Sequence, residues 1–204
     1  QALGVSDHSG RVHDKKQAKF RQINRFLELI SDTLPHLPTG RIRILDLCCG
    51  KSYLSFAVYH YFSQILGYEV SMTGVDLKPD VVQTCGDVAR KLGFSGLEFL
   101  CGDVGAYDTD DAPDLVISLH ACDTATDLVL ERAVKWNTDV ILSTPCCHHE
   151  LNHTLNCAPL AFIAEHSMLR QKLCDAATDA LRLKLLASKG YAVCALELID
   201  PEET

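Results

Sequence analysis

Residues 143–151 read STPCCHHEL, with two cysteines and two histidines side by side. Thiolate and imidazole are ligands that zinc prefers, but structural zinc sites space their cysteines two to four residues apart and draw the histidines from a distance. Four contiguous side chains cannot all converge on one ion, whereas two of them together with His120 or Cys122 can. A redox pair stays open, although adjacent cysteines lack the Cys-x-x-Cys spacing. A structural tract is a third reading, with the cysteines as small core residues and the histidines capping a turn. The favoured reading is the floor of an active site, where an imidazole titrating near neutrality takes a proton from a hydroxyl. His120, His148 and His149 are then the candidate bases, and Asp123 is the candidate that orients them. No metal ligand is assigned.

Elements of definite type must position these groups. Asp14 with Gln17 suggests a capping box opening a helix, and Ile23, Phe26, Leu27, Ile30 and Leu34 keep the spacing of one buried helical face. Strands are expected at 41–47, 69–77, 97–103, 112–120, 138–145 and 191–199. Helices are expected at 51–66, 79–93, 124–135 and, with one break, 158–188. Thr124 with Asp127 suggests a second capping box. This alternation predicts an α/β, Rossmann-like, doubly wound and mostly parallel sheet with helices on both faces, preceded by an N-terminal helix. Residues 1–40 are expected to pack as a helical extension on a domain spanning 41–204.

In such sheets ligands bind outside the carboxyl ends of the strands. Those ends read DLCCGKS, VDLK, CGDV, SLHACD and STPCCHHE, so the unusual residue types fall on one edge. Dinucleotide binding wants G-x-G-x-x-G, and the chain offers Cys48, Gly50 and Tyr53 there, which disfavours a pyrophosphate. Asp76 ends the second strand, where a carboxylate accepts the hydroxyls of a ribose. Asp103 ends the third, where a carboxylate receives an adenine amino group.

An acid and a glycine turn, then an acid, then Gly-Asp at successive strand ends resembles the class I S-adenosylmethionine (SAM)-dependent methyltransferases. The resemblance implies SAM as cofactor, with Asp46, Cys48 and Gly50 around its methionine part, Asp76 at the ribose, and Asp103 with Val104 at the adenine. Cys48 and Ser52 depart from it, since the family usually has glycine there. HACDTATDLVL (120–130) followed by CCHHEL (146–151) is more specifically similar to the methyltransferase domain of eukaryotic acceptor-stem tRNA 2'-O-ribose methyltransferases. The corresponding domain of the glutathione S-transferase C-terminal-domain-containing protein looks related. The similarity covers about residues 14–150, including DKKQAKFRQINRFLELI, which resembles the Lys-Lys helix of some relatives. Lys15 and Lys16 are then placed to neutralise the SAM carboxylate or touch a phosphate, with Lys16 the cofactor candidate. Ala121, Asp123 and Glu150 stand where the tRNA enzymes have Leu, Gly and Arg.

Composition bounds the function. The chain has 204 residues, 47% apolar and 23% charged, the balance of one globular domain. No apolar run approaches ~20 uncharged residues, so no membrane span or membrane partner is expected. Ten cysteines, four of them in adjacent pairs, suit reduced thiols and a cytosolic protein, with Cys101 and Cys194 expected as small buried residues. The net charge is −8, with +3 on residues 1–50 and −11 on the rest. An acidic body argues against a wide grip on nucleic acid. RNA is the acceptor implied by resemblance, held through a segment outside this chain, which is expected to be a piece of a longer protein. A methyltransferase acting on protein or a small molecule, and a non-catalytic SAM- or NAD-binding module, are the alternatives.

Overall fold

The computed structural model describes residues 1–119, 121–145 and 147–198. Five strands make one sheet: β1 (Arg41–Leu47), β2 (Glu69–Asp76), β3 (Leu97–Cys101), β4 (Leu115–Leu119) and β5 (Val140–Thr144). Their order is β3-β2-β1-β4-β5, and every pairing is parallel. The fold is therefore α/β, Rossmann-like and doubly wound. After β1 the chain winds outward through β2 and β3, then returns to lay β4 against the other side of β1. The reversal opens a crevice outside the carboxyl ends of β1 and β4, the place where such sheets bind ligands.

Both faces of the sheet are apolar because helices cover both. Ile42 and Ile44 of β1 join Met72, Leu115 and Ile117 in one core, under α1 (Gln17–Thr33), α2 (Tyr53–His60) and α3 (Pro79–Leu92). Leu45 and Leu47 join Val75, Val116, Val129 and Trp136 in the other, under α4 (Thr124–Lys135). Side chains alternate along a strand, so Asp46 shares the face of Ile42 and Ile44 and looks toward α2. α1 seals that layer with Ile23, Phe26 and Ile30, while Leu27 and Leu34 pack against it partly buried. α2 runs on into a π-helical turn at Tyr61–Ile65, which buries Phe62 completely. The segment after β5 forms α5 (Glu150–Thr154), α6 (Ala161–Ala164) and α7 (Ser167–Ser188), so the expected break lies between α6 and α7.

Several expectations are corrected. Neither capping box forms. Asp14 opens a 3₁₀ turn (Asp14–Lys16) while Gln17 bonds the Val12 carbonyl, and Asp127 is drawn instead to an arginine of α7. Residues 191–198 form no strand, and residue 199 of that expectation lies outside the described residues. A strand exists only through its ladder, and this segment has none among the described residues; Tyr191 donates to the Thr138 carbonyl while Val193 and Leu196 are exposed. Cys101 and Cys194 are exposed, because β3 is an edge strand and Cys194 lies in that unpaired segment.

Candidate cofactor and acceptor site

Asp46, the penultimate residue of β1, is fully buried, 1% exposed. Ser55 of α2, nine residues on, donates its hydroxyl to Oδ2 at 2.5 Å, and Oδ1 has no partner among the described residues. Burial pushes this carboxyl up to about 7; the Ser55 hydrogen bond opposes the rise and nearby Asp76 adds to it. A buried carboxylate oxygen with nothing to accept from is costly unless a ligand supplies a donor. The atom therefore fits a cationic or hydrogen-bond-donating group entering the crevice.

The turn after β1 is wound tightly. Cys48, Gly50 and Ser52 all have left-handed φ, 62°, 53° and 56°. Only Gly50 adopts this at no cost, so side chains stand at two positions where glycine is the easy choice. Hydrogen bonds hold them: Cys49 N–H donates to the Val75 carbonyl at 3.1 Å, Ser52 N–H to the Cys49 carbonyl at 2.9 Å, and Gly50 N–H to Asp76 Oδ2 at 2.8 Å. Asp76 Oδ1 accepts from Lys78 N–H at 3.0 Å, so this carboxylate shapes the turn from both of its oxygens. Burial and the carboxylates of Asp76, Asp46 and Asp103 push the Cys48 thiol up to about 11, and Cys49 is raised further in the same way, first by burial. These two thiols stay protonated and are poor nucleophiles.

Asp103 lies two residues beyond β3, exposed, with Oδ1 accepting from Gly105 N–H at 2.8 Å. Val104 beside it is buried in the α4-side core. Lys16 reaches the same region from the N-terminal side: its Nζ is 3.3 Å from the Tyr53 hydroxyl and 5.2 Å from that ring's centroid. Tyr53 opens α2 directly after the turn, so the structure brings Lys16, Asp46, Gly50, Asp76 and Asp103 to one edge.

The turns after β4 and β5 meet next to it. His120 lies outside the described residues, as does Cys146. Asp123 N–H donates to the Cys147 carbonyl at 3.1 Å. In return, Asp123 Oδ1 accepts the amides of His149 at 3.0 Å and Glu150 at 3.3 Å. Burial on its own would raise this carboxyl, but those two amides, with His149 and Arg182 nearby, hold it below its ordinary value. Asp123 has φ 52°, ψ −125°, a region open to glycine that costs other residues of order 1–3 kcal/mol.

The two histidines diverge. His149 is exposed. His148 is buried against α7, with Nε2 2.8 Å from Asp179 Oδ1 and Nδ1 3.5 Å from Asp175 Oδ1. Both of its ring nitrogens face α7 carboxylates, so it braces the tract instead of opening onto the crevice. Asp123 orients His149 through the backbone, not through the ring. Sequence reasoning missed Ser55, Tyr53 and the α7 residues Asp179 and Arg182. Ser55 looks like any small residue in an apolar helix, and nothing in DALRLKLL separates Arg182 from a solvated Lys184.

The sheet order, the turn at the switch point and the acids at successive strand ends define the fold of SAM-dependent methyltransferases. Residues 18–154 match a family described as "Methyltransferase domain". The chain belongs to this family; it is a SAM-dependent methyltransferase domain, and the match ends with α5, leaving α7 beyond it. Among curated proteins it is similar to the glutathione S-transferase C-terminal domain-containing protein of Homo sapiens, 22% identical over 151 residues, covering 74% of this chain and 22% of that protein. The Mus musculus protein of the same name is 24% identical over the same shares. The chain thus spans about a fifth of the length of these relatives. Among solved structures, coclaurine N-methyltransferase bound to N-methylheliamine and SAH aligns with a TM-score of 0.51 at 14% identity, over 71% of this chain and 40% of that one. No helix among the described residues is long and apolar enough to cross a membrane.

Proposed function

We propose that this domain methylates RNA, with a tRNA-like acceptor, and that a ribose hydroxyl is the nucleophile. SAM supplies an electrophilic methyl group on a sulfonium, so the protein's work is to align, desolvate and deprotonate. The buried, partnerless Asp46 Oδ1 at the switch point carries the cofactor half of this reading, since a ligand ammonium is the donor it lacks. Gly50 and Cys48 shape the turn around the methionine part, Lys16 neutralises its carboxylate, Asp76 accepts the ribose hydroxyls, and Asp103 with Val104 receives the adenine. His149, exposed and held by its amide, takes the proton of the acceptor hydroxyl together with His120; His148 and Asp123 brace it. The RNA half is supported by the likeness of residues 120–130 and 146–151 to tRNA ribose methyltransferases.

A second reading, a protein or small-molecule acceptor, is favoured by the −11 charge beyond residue 50, which repels a polyanion. Transfer of tritium from methyl-labelled SAM into total RNA and, separately, total protein decides between them. The control Asp76→Ala is expected to weaken SAM binding. Label in RNA supports the proposal; label only in protein overturns its acceptor. Binding of SAM with no label in either overturns a macromolecular acceptor and leaves a small-molecule acceptor or a SAM-binding module.

A further inference from the structure

We propose that α7 clasps the acceptor side of the site, with Asp123 and Arg182 as positioning residues that lock the turn after β4 to the turn after β5. What the locked turns serve rests on the methyltransferase reading above; the lock itself does not.

The observations form one connected network. Arg182 of α7 is buried, 6% exposed, and its planar fork grips Asp127 of α4 bidentately, Nε to Oδ1 at 2.8 Å and Nη2 to Oδ2 at 2.9 Å. The same Nη2 donates to the Asp123 carbonyl at 2.9 Å, which fixes the backbone of the post-β4 turn. Nη1 reaches Asp179 at 3.4 Å, and Asp179 in turn engages His148 of the post-β5 turn. Gln171, two turns earlier on α7, donates to the His148 carbonyl at 3.1 Å. Arg170 donates to the Asn152 and Leu155 carbonyls at the end of α5.

Asp123 closes the network from the other side. Its carboxylate takes the His149 and Glu150 amides, and its own amide goes to the Cys147 carbonyl. A glycine would adopt φ 52°, ψ −125° freely, but would leave those two amides without an acceptor. The aspartate is thus held in an unfavourable backbone conformation by contacts that reach both turns. Strain of this kind persists only where the surroundings over-determine it. The outcome is that His149 and the crevice floor move as one body with α4 and α7.

The test is amide hydrogen exchange on the whole chain, with SAM affinity by calorimetry in parallel. Asp123→Gly removes the strain and so keeps the fold. It is expected to lose protection at the His149 and Glu150 amides by about tenfold or more, while β1 and β4 amides and SAM affinity stay unchanged. Asp123→Asn keeps an acceptor oxygen and is expected to restore protection to within about threefold of the wild type. Arg182→Lys keeps the charge but not the fork, and is expected to loosen the same two amides. With a labelled acceptor, Asp123→Gly lowers transfer at saturating SAM, and Asp123→Asn recovers it. Unchanged protection in Asp123→Gly overturns the clasp, as does an Asp123→Asn variant as loose as the glycine one. If the wild type labels neither RNA nor protein, the RNA acceptor of that reading fails, and the exchange data still decide the clasp.

Discussion

Asp46 concentrates the conflict between folding and function in a single carboxyl. Its folded value of about 7 lies well above the ordinary 3.8, because burial penalises the anion. Between those values the folded chain holds a proton that the unfolded chain has released. The stability this gives is complete below the ordinary value and is lost as pH rises through about 7, a swing on the order of 4 kcal/mol. Asp46→Asn should therefore raise the melting temperature of the cofactor-free protein at pH 8 by roughly 4–8 °C, for about 2 kcal/mol of relief. The same change should weaken SAM binding about tenfold or more, read by calorimetry, since the neutral amide no longer answers a ligand cation. Wild-type affinity is expected to climb as pH rises through about 7 and then level off. Ser55→Ala removes the hydrogen bond that holds the value down, so its affinity curve should move toward alkaline pH. At the acceptor side, His149→Ala should keep SAM affinity and lose transfer about 10²–10⁴-fold, the usual size of a general-base contribution. His148→Ala should instead lower stability in urea denaturation, because it leaves Asp179 and Asp175 of α7 facing a void.

At the scale of elements, α1 is part of the core and not an ornament on it. Phe26 and Ile30 are 1% and 0% exposed, packed in the layer that also holds Ile44 and Phe62. Phe26→Ala should cost about 3–5 kcal/mol in urea denaturation, the range for a buried aromatic cut to a methyl. A surface extension would show almost no effect. The entry of the chain into β3 beside β2 is also tight. A Cβ at Gly96 would lie 2.1 Å from the Val70 carbonyl oxygen, so only glycine lets the chain enter β3 beside β2. α4 and α7 illustrate how contact overrides local habit. Asp127 stands in the position for a capping box with Thr124, yet a buried guanidinium offers it two charge-assisted bonds against one backbone amide.

For the whole molecule, charge sets the expectation. A body carrying −8 overall has little to neutralise phosphates with, and only residues 1–50 carry a net positive charge, +3. Binding of the isolated chain to bulk tRNA should be no tighter than about 10⁻⁵ M at 150 mM salt, with a shallow salt slope, measured by filter retention across a salt series. Tight, steeply salt-dependent binding would mean that the N-terminal basic stretch makes a full RNA interface by itself.

The chain's periodicities determined the strand and helix order, and with it the parallel sheet and the edge where Asp46, Gly50, Asp76 and Asp103 meet. Those signals are local: apolar residues at fixed intervals and turn residues at strand ends have few other uses. Partnership was not legible, because it joins residues far apart in sequence whose types are ambiguous alone. Ser55 under Asp46, the Arg182 fork on Asp127 and the parting of His148 from His149 arise only once α2 and α7 are laid against the sheet. The unpaired segment 191–198 makes the same point in reverse. Alternation gives a segment the means to be a strand, but only a neighbouring edge with free hydrogen-bonding groups makes it one.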